Sequence, residues 1–244
     1  MTLAADLAAK TLERIIQRFA LQEHGDPYIA LKNQMNGDAV GPLRLFSGGP
    51  LTKLVYCGMT VPFIGLDSHM IYAFTAPESA VPHFTLDSVC NGETYAFHLD
   101  LTPRVDLGAH LDYLNAAFQP LTETFMAAKN LEGLTPAHIS PRQYALMSPW
   151  MIVYRATPEA FAQVGPFVDS YLEHWFNLVE NGVPAETFAD VSPAARAKRD
   201  RLNRAAIFDP EVDHVWAQVD RLVGTEMSAR QRGIMISQTL EEAL

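Results

Sequence analysis

The chain has 244 residues, 48% of them hydrophobic, with 18 basic against 28 acidic side chains and a net charge of −10. This is enough apolar material for a globular core, while the negative balance argues against nucleic acid as the main ligand, since phosphate contacts need a positive footprint. No apolar run approaches the roughly 20 residues of a membrane helix, and Asp6 and Glu13 stand where a targeting segment would be basic, so a cytoplasmic protein without a membrane partner is expected.

In chain order, Leu7, Leu12, Ile15, Ile16 and Phe19 fall at helical spacing and predict an amphipathic helix over residues 3–19, with Thr2 or Asp6 as its cap. From 41 to 101 the pattern changes to short β-branched and aromatic runs broken by Gly-Gly, Pro and Asn-Gly: PLRLFS, TKLVYCGM, HMIYAFT, PHFTLDSVC and ETYAFHLDL. Consecutive short strands with tight turns predict an antiparallel meander. Cys57 and Cys90 lie within these runs, where buried thiols are usual, and two cysteines support neither a disulfide framework nor a metal cluster. Leu111, Leu114, Phe118, Leu121, Phe125 and Met126 then mark a helix, and SPWMIVYR one more strand. A long helix follows from residue 158 to about 179, stopped by Asn181-Gly182. Residues 193–244 are charged and helical, with a break near Asp209-Pro210. With no repeat and no sharp shift of composition, one domain over residues 1–244 is expected, either α+β or an α/β/α sandwich around an antiparallel sheet.

The sharpest local signal is Asn91-Gly92 between two alternating runs, which predicts a two-residue type I′ hairpin. Counting outward pairs Cys90 with Glu93, Val89 with Thr94, Asp87 with Ala96, Thr85 with His98 and His83 with Asp100. Alternation then puts His83, Thr85, Asp87, Ala96, His98 and Asp100 on one face and Phe84, Leu86, Tyr95, Phe97 and Leu99 on the other. A half-wet antiparallel sheet gives such a pattern. The polar face nevertheless has no Lys, Arg or Glu, which suits the floor of a pocket. An aspartate there, partly desolvated near other carboxylates, would have a raised pKa and could deliver a proton near neutral pH.

PHFTLD, the Asn-Gly turn and HLDLTPR resemble the central hairpin of the ferredoxin-dependent bilin reductases and their relative, red chlorophyll catabolite reductase. HLDYLNAAFQPL, LMSPWMIVYRATPEAF and DHVWAQVDRLVG follow in the family's order at similar spacing, so the resemblance spans roughly residues 40–240. It implies an α/β/α sandwich holding an open-chain tetrapyrrole between the sheet and C-terminal helices. No cofactor of its own is implied: reduced ferredoxin would supply electrons singly and acidic side chains the protons. The family's proton donor falls on Asp87. A second acid, about ten residues before a helix-ending glycine, falls on Asp213 when counted from Gly224, with Asp209 competing and His214 a further candidate. The histidine that some members carry on the preceding strand aligns with Met70; His69 is one residue away and faces the opposite side unless the strand is bulged.

Such a substrate is conjugated and can hold an unpaired electron, so the protein need only bind it, shield it and place protons. Its two propionates call for a cation at the pocket mouth, Arg142 first and Arg155 second, though either can equally be a surface arginine paired with an acid. Met147, Trp150, Met151 and Tyr154 read as core. The segment ARAKRDRLNR carries five basic residues and one acid, and Lys198, Arg199 and Arg201 in it are expected either to dock an acidic ferredoxin or to form a solvated helix face. Alternatives to biliverdin reduction are reduction of a chlorophyll-derived open tetrapyrrole and a bilin carrier without turnover.

Overall fold

The computed structural model describes residues 2–243. Its centre is one antiparallel sheet of eight strands: β1 (Gln22–Lys32), β2 (Ala39–Gly48), β3 (Leu51–Val61), β4 (Leu66–Thr75), β5 (His83–Asn91), β6 (Thr94–Thr102), β7 (Leu134–Pro136) and β8 (Ile152–Ala156). Their order is β1-β2-β3-β4-β5-β6-β8-β7, so the expected meander is present and continues one strand further at its start. The helices are α1 (Leu3–Phe19), α2 (Leu111–Ala117), α3 (Thr122–Lys129), α4 (Pro141–Leu146), α5 (Pro158–Phe161), α6 (Gly165–Asn181), α7 (Pro193–Ile207), α8 (Val215–Val223), α9 (Thr225–Ile236) and α10 (Leu240–Ala243). Among the described residues none is long and apolar enough to cross a membrane.

Helices cover both faces, giving the α+β three-layer arrangement. On one face Ala4, Ala8, Leu12 and Ile15 of α1 and Leu172 and Trp175 of α6 share a core with Ile71, Phe84, Leu86, Phe97 and Leu99 of the sheet. Thr2 caps α1, its hydroxyl accepting from the Ala5 N–H at 3.1 Å, a bond that contributes about 1 kcal/mol. On the other face Phe208, Trp216, Val219 and Ile234 share a second core with Leu43, Leu45, Val55 and Phe74. Two predicted helices are interrupted. Pro120 falls at the start of a 3₁₀ turn that separates α2 from α3, and the region 158–179 divides into α5 and α6.

The β5–β6 turn differs from expectation by one position. Asn91 pairs with Thr94, so the loop is Gly92-Glu93. Gly92 has φ +65°, and Asn91 and Glu93 are not in the left-handed region, the sign pattern of a type II′ turn with glycine first. A type I′ turn would need positive φ at Asn91 as well. The slip moves every partner by two residues, which keeps each side chain on its face but sets His98 directly opposite Asp87, Asp100 opposite Thr85 and Thr102 opposite His83.

Helix α7 is fastened to the sheet by a buried ionic cluster. Asp200 accepts from His83 Nε2 (2.7 Å), Arg204 Nε (3.0 Å) and Gln238 Nε2 (2.8 Å), and Arg104 Nη2 lies at 3.4 Å. Lys53, wholly buried, donates to Ser237 O (2.6 Å), Ser237 Oγ (2.5 Å) and the Ile234 carbonyl. Burial, with help from Arg204, pulls its pKa down to about 7.

Candidate active site

The sheet builds the floor of the site by register alone. Met70 of β4 lies beside Asp87 of β5, which lies beside His98 of β6, which lies beside Val153 of β8. Because the side-chain period is two, these four point to the same side, together with Ser68, Tyr72 and Val89. Over them is a cavity of ≈ 230 Å³. Its walls are Ile139, Gln143, Leu146 and Met147 around α4, Met151 before β8, and Ile207, Phe208, Val212, Asp213, Val215 and Trp216 from the end of α7 into α8. It is apolar apart from a few converging groups, the usual character of a small-molecule site.

The converging groups are Asp87, His98 and Asp213. His98 Nδ1 is 3.4 Å from Asp87 Oδ2. The remaining atoms, Asp87 Oδ1 and His98 Nε2, are sealed from solvent with no hydrogen-bond partner among the described residues, at a cost of about 1–3 kcal/mol each. Burial works against charging His98, but the Asp87 hydrogen bond and the fields of Asp87, Asp100 and Asp213 outweigh it and raise the pKa above the ordinary 6.5. Burial raises the Asp213 carboxyl; the Val215 N–H partly offsets this and Asp87 adds to it. Asp100, on the same face, is fully buried and accepts from Ser148 N (3.0 Å) and Ser148 Oγ (2.5 Å); burial raises it too. Burial therefore raises two carboxyls around His98, that of Asp100 on this face and that of Asp213 on the facing wall.

Several expected site residues lie elsewhere. His69 points to the other side of β4, under α1, where Tyr56 Oη (2.7 Å) and Asp67 Oδ1 (2.9 Å) hold its ring; β4 has no bulge between Leu66 and Ala73 in its pairing with β5 to turn it. His83 and Thr85 keep the predicted face, but α7 covers that end of it. They line a separate space of ≈ 10 Å³ with Arg204 and Phe74, and burial together with Arg104 and Arg204 drives the His83 pKa well down. Asp209 builds the turn that presents Asp213: its carbonyl accepts from the Val212 and Asp213 N–H groups, both at 2.9 Å, and its side chain from Glu211 N at 2.8 Å. His214 faces solvent. Neither lines the cavity, and neither do Arg142 and Arg155. Arg142, next to Gln143, approaches the Glu211 carbonyl at 3.5 Å, and Arg155 is exposed on β8, two residues beyond Val153.

In the basic run, Arg204 is buried in the ionic cluster. Arg196 bonds the Glu78 and Val191 carbonyls and stacks on Phe188. Lys198 and Arg199 line an open groove of ≈ 470 Å³ between α7 and α4 that shares Leu146 with the cavity, and Arg201 is exposed beside it. Met147 and Met151, read as core, are cavity walls; Trp150 and Tyr154 are not. Trp216 and Gln143 were not anticipated. Helical periodicity marks Trp216 only as apolar, while Gln143 is the fourth residue of the Ser140 capping box, a signal for a helix start and not for a ligand.

No protein-family model matches the chain, and no curated protein matches it. Among solved structures, it is similar to phytochromobilin synthase from tomato, crystallised in complex with biliverdin, with a TM-score of 0.77 at 17% identity over 98% of this chain and 84% of that one. The chain therefore shares its fold, from end to end, with a protein whose structure holds a linear tetrapyrrole.

Proposed function

We propose that the protein is a ferredoxin-dependent bilin reductase acting on biliverdin IXα or a dihydrobiliverdin. The observation that carries this is the Asp87–His98 pair on the floor of an apolar cavity with Asp213 on its opposite wall, in a fold shared with a biliverdin-binding protein. Reducing one double bond adds two electrons and two protons. Reduced ferredoxin gives the electrons singly, and the conjugated ligand holds the unpaired one while water is excluded. Asp87 delivers a proton to the reduced ligand from the floor, and His98, 3.4 Å away, is placed to replace it. Asp213, held by burial toward its neutral form, delivers another from the helical wall. Regiospecificity follows from which carbon or lactam each acid can reach. Arg142 and Arg155 flank the cavity-lining Gln143 and Val153, and we assign them to the propionates. Lys198, Arg199 and Arg201 offer an acidic ferredoxin a positive patch on a chain of net charge −10.

The test is spectroscopic. With biliverdin alone the absorption should shift, and on addition of reduced ferredoxin it should pass through intermediates to a new stable spectrum. A carrier would shift once and stop; a protein for chlorophyll catabolites would respond little to biliverdin. Asp87→Asn keeps size and packing, so binding should survive while turnover falls by about a hundredfold or more, the range for a lost general acid. Reduction at the normal rate by that variant would remove Asp87 from the role.

A further inference from the structure

The chain has three tryptophans, and an indole N–H can only donate. Trp150 Nε1 donates to Thr122 Oγ1 at 3.0 Å and Trp175 Nε1 to the Pro82 carbonyl at 2.9 Å. Trp216 Nε1 is sealed from solvent, as the Trp175 donor is, yet it meets no acceptor among the described residues. Buried N–H groups are rarely left this way in native proteins. Gln231 Nε2, Arg104 Nε and Arg199 Nε are further such donors, but none of these three residues lines the cavity, whereas Trp216 does. The indole is 2% exposed and is held in place: the Arg232 guanidinium lies 5.4 Å above its ring, anchored by Ser228 Oγ at 2.9 Å, and Phe208 meets it nearly edge-on at 6.4 Å. Three residues before it, in the turn that leads into α8, lies Asp213. The donor is therefore fixed in orientation before any ligand arrives, on the wall that also carries an acid.

We infer that the Trp216 indole N–H is a ligand-orienting donor that takes a terminal lactam carbonyl oxygen of the bound tetrapyrrole. This rests on the reading of the cavity as a bilin site and adds to it the group that decides which way round the ligand lies. A lactam carbonyl is favoured over a propionate because the indole is in the apolar part of the wall, among Phe208, Val212 and Val215, where a carboxylate would be desolvated with no Lys or Arg in the cavity lining to pair with it. A carbonyl fixed there sets the distance of the adjoining ring from Asp213. Trp216 thus bears on regiospecificity without transferring a proton.

Trp216→Phe keeps an aromatic ring and removes the N–H. Biliverdin should bind this variant about fivefold more weakly, the worth of one neutral hydrogen bond, and the ratio of reduced isomers should change. Trp175→Phe is the comparison: its N–H already has an acceptor, so that variant should lose stability while biliverdin affinity and product ratio hold. In the wild type, one indole ¹H–¹⁵N resonance should move on adding biliverdin, and it should be the one missing from Trp216→Phe. Biliverdin dimethyl ester should show the same loss on Trp216→Phe as the free acid; a loss confined to the free acid would mean the acceptor is a propionate and would overturn the assignment. Equal affinity and product ratio in Trp216→Phe would also overturn it, even with Asp87→Asn inactive. If the wild type fails to bind biliverdin, the reading of the site itself falls.

Discussion

Replacing Asp200 by Asn tests whether the ionic cluster behind the cavity holds α7 in place. The carboxylate is 2% exposed and the guanidinium-bearing residues Arg104 and Arg204 are each 1% exposed, so neither arginine can turn to water when the charge is removed. An amide keeps the shape but loses the charge and one acceptor oxygen, and the guanidinium groups of Arg104 and Arg204 beside it can only donate. Breaking a buried pair by removing one partner costs about 3–5 kcal/mol, and at this chain length each kcal/mol lowers Tm by about 2–4 °C, so a fall of roughly 6–20 °C is expected. Urea unfolding of Asp200→Asn, Arg204→Met and the double variant should show coupling of more than about 1 kcal/mol, because the double variant leaves one unpaired cation fewer than Asp200→Asn. Burial alone would raise the Asp200 pKa, but His83, Arg104 and Arg204 hold it far below the ordinary 3.8. A depressed carboxyl contributes stability that is present above its unfolded pKa and is lost only as pH falls through the folded one. The gap between wild type and variant should therefore persist undiminished from pH 7 down to about pH 4. Destabilisation below about 1 kcal/mol, or additive single variants, would refute the account of the cluster as a fastening.

Three further outcomes are expected. Asp213→Asn should change which reduced product or intermediate accumulates, whereas Asp209→Asn, which alters a turn, should leave the product pattern as it is; the reverse result in product analysis would exchange their roles. Charge reversal at Lys198 and Arg201 should raise the ferredoxin concentration for half-maximal rate and flatten its salt dependence without changing bilin affinity, since exposed charges act on encounter; an unchanged ferredoxin response would return this face to plain solvent exposure. His98, raised above 6.5, gives stability that is full below that value and is lost as pH rises through its folded pKa. The pH profile of kcat/KM should accordingly show an alkaline limb above 6.5, and Asp100→Asn, by removing one of the fields that holds the charge, should move that limb to lower pH.

Much of the site was legible from alternation. The parity of the hairpin put Asp87 and His98 on one face and was immune to the misplaced turn, because a two-residue slip of partner changes neighbours but not sides. Parity also warned that His69 would face away. What it could not supply was the extent of the cover. His83 and Thr85 share the face of Asp87, yet α7 closes over them through contacts between residues 83 and 200 and between residues 200 and 238, which leave no local trace. β1 was not anticipated: Gly25, Asp26 and Pro27 break its alternation, and in the sheet they occupy an irregularity between His24 and Ile29, after which pairing with β2 resumes. Trp216 was missed for a different reason. Hydropathy records an indole as apolar, and only the absence of an acceptor in three dimensions distinguishes it from Trp175.

The row Met70–Asp87–His98–Val153 also constrains how such a site can diversify. Its four members come from four strands, and each is placed by counting in twos from its own turn, so inserting or deleting one residue within β5 or β6 would turn Asp87 or His98 toward the α1 core. The floor can change its chemistry by substitution, but not its spacing by length. The opposite wall is under no such rule: α4 and the 209–214 turn can lengthen or shorten without disturbing a single ladder hydrogen bond. Ligands of different shape would then be accommodated from above, over a fixed grid of proton-bearing groups below.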